Sequence, residues 1–240
     1  MVKERIRTYI EGFDEKMNGG VPKGHNILIL GEPGTMKSTI AFYMLYMNAF
    51  ENNRKSAYIT LEQSREGLLE HIEAMGLDFD RVKNLISVVD LSLIRKNLDK
   101  LGQQTWTQIF KMYAQNLKKN MGYDLLVLDT LPVLELLANF TEPRNDLFHL
   151  FEWLKELDTT TILISEMSQS TKDFGKYGED FLADGIIHLT MENVDGVTIQ
   201  RRIRCVKMRG TNHSSDYYTL LYGDGEFQVT RVISEKSDFK

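Results

Sequence analysis

Short apolar runs alternate with longer stretches of helical period along most of this chain. The run HNILIL (25–30) ends at a glycine and reads as a buried strand. A helix-length segment follows over 38–51, and 56–62 is a second strand with an acidic end. Residues 64–76 place Leu68, Leu69, Ile72 and Met75 at helical spacing before Gly76 stops the helix. The pattern then predicts a strand over 85–90, a helix around 103–120, a strand over 123–129, a helix near 145–157 and a strand over 160–166. Buried strands separated by helices require right-handed crossovers, so the expected fold is α/β with a mainly parallel sheet covered on both faces. Sequence-adjacent order sets the 56–62 strand beside the 25–30 strand. The last quarter changes character. Runs at 185–191, 197–210, 216–222 and 225–232 are joined by short Gly, Asp and Asn turns, which predicts antiparallel strands extending the same sheet. No Pro/Ser-rich linker, repeat or low-complexity tract interrupts the chain, so residues 1–240 read as one domain.

Composition narrows the setting. With 240 residues, 42% hydrophobic and 26% charged, the chain can bury a sizeable core. A net charge of -5 gives no global positive field toward nucleic acid, although a local basic groove stays open. The single cysteine, Cys205, excludes an internal disulfide framework and suits a reducing compartment. The first residues hold no apolar stretch of a secretory signal. The longest apolar run, LLVLDTLPVLELL, is broken by Asp and Pro, so no membrane span is expected. These features predict a cytoplasmic protein.

Candidate chemistry begins at GEPGTMKST (31–39), which follows a predicted strand and opens a predicted helix. Strand, glycine loop and helix start in that order make a phosphate loop, in which successive backbone N–H groups and a helix N-terminus converge on a polyanion. Gly31 and Gly34 permit tight turns, Lys37 would reach the β- and γ-phosphates, and the Ser38 hydroxyl would ligate Mg²⁺. Met36 stands where the usual pattern has its last glycine; its amide survives, and the substitution is serious only if the position needs positive φ or its Cβ meets a wall. The competing reading is a Gly/Pro turn with a stray lysine. Asp129 ends the strand LLVLD, the position from which an aspartate holds Mg²⁺, often through water, or else is an ordinary turn residue. Glu62 ends AYITLE and would orient water at the γ-phosphate, or else serve as a first-turn acid of the next helix.

With these residues in place, the chain resembles the KaiC/RecA superfamily of ATPases, and its single-domain archaeal KaiC-like members in particular. The resemblance rests on GFDEKMNGGVPKGHNILILGEPGTMKS, AYITLEQS, LLVLDT, LISE, FLADGIIHL and RCVKMRGTNHSSDYYTLLYGDGEFQV, which cover nearly the whole chain. It implies a RecA-like P-loop NTPase core that binds ATP and Mg²⁺ between subunits of a homo-oligomeric ring, usually a hexamer. It also implies a nucleotide site lined by Gly31, Gly34, Thr35, Met36, Lys37, Ser38 and Thr39, with Ser38 and Asp129 toward the metal. From a neighbouring subunit would come Lys207, Met208, Arg209, Thr211 and His213. Lys207 and Arg209 share a strand face by period-2 alternation and would face the γ-phosphate in trans, alongside Glu62 and Lys37 as the catalytic set. The alternative for 200–210 is a basic edge strand whose charges deter pairing.

Three departures from the family pattern stand out: Met36, Gln63 where a second acid is common, and Asp180-Phe181 where the clock branch carries a Ser-Thr pair that autophosphorylates. They favour a slow ATPase over an autokinase. They also keep open a nucleotide-sensing scaffold without meaningful hydrolysis. A further alternative is a recombination accessory protein that binds single-stranded DNA through 167–180, where Lys172 and Lys176 accompany Phe174 and Tyr177. Asp173, Glu179 and Asp180 counter that charge. His71 and His149 have no second ligand at metal spacing, the methionines read as core filling, Trp106 and Trp153 as packed residues, and Cys205 as a small buried hydrophobe. No residue pattern names a partner protein.

Overall fold

The computed structural model describes residues 4–95, 105–167 and 174–232. Two short strands, β1 (Arg5–Ile6) and β2 (Val21–Pro22), pair at the N-terminus, and β3 (Asn26–Gly31) then leads into α1 (Lys37–Asn52). Next come β4 (Ser56–Thr60), α2 (Arg65–Ala74), β5 (Ile86–Asp90), the single turn α3 (Ser92–Arg95) and α4 (Trp106–Met121). The middle of the chain supplies β6 (Leu125–Asp129), α5 (Leu131–Ala138), α6 (Pro143–Glu156), β7 (Thr160–Glu166) and α7 (Glu179–Leu182). β8 (Gly185–Asn193), β9 (Ile199–Met208), β10 (Tyr218–Gly223) and β11 (Glu226–Arg231) complete it. The nine-stranded sheet runs β11-β10-β9-β8-β3-β7-β6-β4-β5. Its β8-to-β5 portion is parallel, and β9, β10 and β11 add antiparallel strands, as the sequence predicts.

Alternation within β3 divides the core. Ile27 and Ile29 face α1 and α2, packing with Ile40, Phe42, Leu68 and Ile72. Leu28 and Leu30 face α4, α5 and α6, packing with Phe110, Leu134 and Leu150. Local signals end the helices as the pattern requires. Ser64 caps α2 by accepting from Gly67 N, Thr105 and Gln108 form a capping box on α4, and Gly122 stops α4 in the left-handed region.

Three expectations need correction. β4 is not beside β3, because β7 and β6 lie between them; in a parallel sheet, chain order does not dictate neighbour order. β4 also stops at Thr60, leaving Glu62 in the following bend, where Gln63 N donates to Thr60 Oγ1 at 3.2 Å and turns the chain. The apolar run after Asp129 contains a helix, α5, that the sequence reading left out; Pro132 sits in its first turn, where a missing N–H costs nothing.

His188 on β8 is 7% exposed, its Nδ1 3.0 Å from the Tyr217 hydroxyl, with Phe174 against its ring and Arg204 stacked on Tyr217. Burial, aided by Arg204, pulls its pKa down from 6.5 to about 4. The unfolded chain therefore binds a proton that the folded chain refuses as pH falls from 6.5 toward 4. That linkage removes about 3 kcal/mol of stability by pH 4. In urea unfolding at pH 7 and pH 4, His188→Gln is expected to lose less stability on acidification than the parent chain; equal losses would contradict the assignment.

Candidate nucleotide site

Parallel pairing aligns the carboxyl ends of four neighbouring strands. Gly31 of β3 is opposite Glu166 of β7, Leu128 of β6 is opposite Leu163 of β7, and Asp129 of β6 is opposite Thr60 of β4. The loop 31–36 leaves this rim and turns into α1. Gly31 has no room for a side chain: a Cβ there would lie 2.4 Å from the Leu189 carbonyl oxygen. Gly34 has φ +82°, in the left-handed region, and Thr35 is buried with its hydroxyl donating to Glu32 O at 2.7 Å. Glu32 in turn accepts from Met191 N at 3.3 Å, fastening the loop to β8.

Met36, the residue that breaks the usual pattern, has φ 72° and ψ 28°. The glycine it replaces suits this left-handed backbone, and methionine adopts it at a cost of about 1–2 kcal/mol. Its half-buried side chain packs against the α1-side core. Met36 gives α1 no side-chain cap, so the helix N-terminus faces the loop with its orphan amides free of a capping group, as an anion site requires.

Lys37 Nζ donates to Gly31 O at 2.8 Å and Glu32 O at 3.0 Å, curled over its own loop. Burial lowers its pKa from the usual lysine value, opposed by the carboxylates of Glu166, Asp129, Glu62 and Glu32. Asp129 is 1% exposed; its Oδ2 accepts the Tyr58 hydroxyl, and its Oδ1 is buried with no hydrogen-bond partner at bonding geometry. Burial raises the Asp129 pKa, against the lowering influence of Tyr58, Ser38, Gln63 and Lys37. The Glu62 side chain reaches solvent, but its Oε1 accepts from Thr130 Oγ1 at 2.9 Å, and partial burial raises its pKa, with Asp129 and Glu166 adding to the rise. Thr39 Oγ1 lies 3.1 Å from His71 Nε2, which ties α2 to the first turn of α1.

The structure therefore brings Gly31, Gly34, Thr35, Met36, Lys37, Ser38, Thr39, Glu62 and Asp129 to one rim. It does not bring the second block there. Met208 is paired with Gly185, and Gly185 with Ile27 at the start of β3, about 13 Å along the strand from Gly31. Lys207 Nζ donates to Asp180 O at 2.8 Å, and Arg209 to Asp184 Oδ1 at 3.0 Å and Phe181 O at 2.8 Å. Thr211 Oγ1 accepts from Arg5 at 2.7 Å, and His213 Nδ1 is 3.2 Å from Ser214 O. Two sequence expectations are adjusted here. Arg209 lies in the turn beyond β9, so strand alternation alone does not place it, and β9 is paired on both sides rather than at an edge.

Within 167–180, residues 168–173, Lys172 among them, lie outside the described residues. Phe174 and Tyr177 pack against the core beneath α4–α6, with Phe174 also contacting His188 and Arg204, so these rings are already engaged. Sequence reasoning missed Glu166, Glu32 and Tyr58. Glu166 carries the signal that singled out Asp129 and Glu62, an acid ending a buried strand; Tyr58 carries none. Among the described residues no cluster of three or more His, Cys, Asp or Glu side chains forms a metal cage, and no helix is long and apolar enough to cross a membrane. The residues at the rim nevertheless fit a divalent cation: Asp129 Oδ1 is a buried oxygen without a partner, beside Ser38.

Comparison with known proteins agrees with this architecture. The family model described as the KaiC ATPase matches residues 6–231. A UPF0273 protein of Aeropyrum pernix is 27% identical over 96% of this chain and 98% of its own length. The circadian clock protein KaiC2 of Synechocystis is 27% identical over 95% of this chain but only 40% of its own length, so the chain spans well under half of that relative. The crystal structure of a KaiC-like protein from the archaeon Pyrococcus horikoshii superposes with a TM-score of 0.81, at 28% identity over 95% of this chain and 99% of that one.

The loop geometry generates a stability prediction. Met36→Gly is expected to stay within about 1 kcal/mol of the parent, because relief of left-handed strain offsets lost side-chain burial. Met36→Val, β-branched in the same backbone, is expected to lose about 1–3 kcal/mol. Denaturant unfolding distinguishes them; equal stability of the two variants would contradict the strained conformation.

Proposed function

The chain belongs to the KaiC family of ATPases, and from that premise we propose that the whole chain is one Mg²⁺-dependent ATPase domain. In this reading it turns over slowly, assembles into a ring with nucleotide between subunits, and uses the nucleotide state as a conformational switch. The observation that carries the reading is Lys37, curled onto the loop carbonyls within the field of Glu166, Asp129, Glu62 and Glu32. One cation facing four carboxylates would repel a triphosphate brought in alone. A divalent cation resolves the conflict, with Ser38 and the unpaired Oδ1 of Asp129 as the residues that would hold it, directly or through water. Lys37 would then exchange its loop carbonyls for phosphate oxygens, a movement that leaves the backbone in place.

Glu62 is the proposed water-orienting carboxylate, kept near the reacting phosphate by its bond from Thr130. Positive charge to offset the transition state is assigned to Lys207 and Arg209 of an adjacent copy, because these residues lie at the far end of the sheet from their own loop. In the single chain both are held by α7 carbonyls and Asp184, so reaching a neighbour's phosphates would require exchanging those bonds. Such an exchange is a two-state contact that hydrolysis would reverse. The strained loop at Met36 and the missing second acid at Gln63 support slow turnover.

Lys37→Ala is expected to abolish ATP binding, whereas Arg209→Ala should keep binding and lose at least about tenfold in turnover. Alone, the first does not bind and the second turns over slowly, yet their mixture should exceed both, since an intact Lys37 in one copy can meet an intact Arg209 in the next. Phosphate release from the two variants separately and mixed reads this directly. No regain on mixing would refute the shared site, and metal-independent background release alone would favour a scaffold without hydrolysis.

A further inference from the structure

Tyr58 is fully buried in the middle of β4, yet its hydroxyl is bonded toward the rim of the site and not within the core. Its partner in the register is Val127, and two residues along the same face of β6 lies Asp129, whose Oδ2 accepts the Tyr58 hydroxyl. The ring is held from the other side by Phe42 of α1, with centroids 5.6 Å apart. The phenol donates to a carboxylate that is buried too. This bond leaves the two oxygens of Asp129 unequal: Oδ2 is satisfied, while Oδ1 is buried without a hydrogen-bond partner. Ser38, the first-turn hydroxyl of α1, stands beside both Tyr58 and Asp129.

An apolar residue would fill the Tyr58 position as well and would spare the burial of a hydroxyl, which costs free energy unless it is bonded. What the hydroxyl adds is orientation. A carboxylate on a strand end rotates readily about its terminal torsion, and a strong donor fixed on one oxygen opposes that rotation; Tyr58 is the first of the donors around Asp129, ahead of Ser38 and Gln63. Partners that orient metal-binding groups in this way commonly affect metal affinity by about tenfold to a hundredfold.

We propose that Tyr58 is a positioning residue of this site: its hydroxyl holds Oδ2 of Asp129 and so reserves Oδ1 for the cation that accompanies a bound nucleotide. The inference rests on the nucleotide reading above, but it makes a separate demand. It requires that Tyr58 act on metal affinity and not on the grip of the loop on phosphate, since its hydroxyl donates to Asp129 and its other polar neighbour, Ser38, is itself on the metal side of the proposed site.

The test uses the full chain and a fluorescent ATP analogue, titrated first in EDTA and then with Mg²⁺, with Mn²⁺ binding to the nucleotide complex followed by electron paramagnetic resonance. Tyr58→Phe keeps the ring and its contact with Phe42, and circular dichroism checks that the fold is retained. Analogue affinity in EDTA is expected to stay within about twofold of the parent, while the Mg²⁺ concentration for half-maximal effect rises about tenfold or more and Mn²⁺ affinity falls in step. In an Asp129→Ala background, adding Tyr58→Phe should change neither titration further. Unchanged Mg²⁺ and Mn²⁺ titrations in Tyr58→Phe would overturn the proposal while leaving the nucleotide reading intact. An additional loss in the Asp129→Ala background would overturn it too, by showing that Tyr58 acts through packing. A parent chain that binds no analogue under any condition would defeat the nucleotide reading itself, and this inference with it.

Discussion

Parallel register is the constraint from which the rest follows. Because β3, β7, β6 and β4 run the same way and in step, their carboxyl ends deliver Gly31, Glu166, Asp129 and the Thr60–Glu62 bend to one rim. Crossover helices cover both faces, so the rim is the place where buried strands release polar residues into a crevice. Acidic residues collected there would repel one another without Lys37, and Lys37 would be an uncompensated, half-buried cation without them. Each side of the arrangement makes the other tolerable, and the balance is weighted toward negative charge. That excess is what the proposed function would offset with a metal on one side and another copy on the other.

The distribution of basic residues follows the same logic. β9 runs antiparallel to β8, so a residue at its C-terminal end is carried back to the start of β3. Lys207 and Arg209 thus lie where their own rim is out of reach, occupied by the carbonyls of α7 and by Asp184. The loop itself is built with little freedom: Gly31 is pressed against β8, Glu32 is bonded to it, and Met36 is held left-handed over a packed side chain.

Much of the fold, and the position of the loop at the sheet rim, is legible in the sequence. Strand-loop-helix order identified the loop, the period-2 and helical runs located most elements to within a few residues, and terminal acids marked Asp129 and Glu62. Neighbour order was not legible, because crossovers skip strands: β4 lies three places from β3, although it follows it in the chain. α5 was hidden behind β6 in one largely apolar run, where a short buried helix has no distinguishing period and Pro132 in its first turn reads as a breaker. Met36 raised the right question, and only its φ of 72° answers it. Tyr58 could not be found from sequence at all. A tyrosine in a buried strand reads as core, and its role depends on a diagonal contact across two strands.

The central claim is that one chain supplies the phosphate loop and carboxylates while another supplies the compensating charge. Specific ATP turnover measured across a dilution series with Mg-ATP, with mass determined on the same samples, tests it most directly. The account predicts that turnover per chain falls as the assembly dissociates and is lost in the monomer range. Constant turnover per chain down to concentrations at which the protein is monomeric would contradict it.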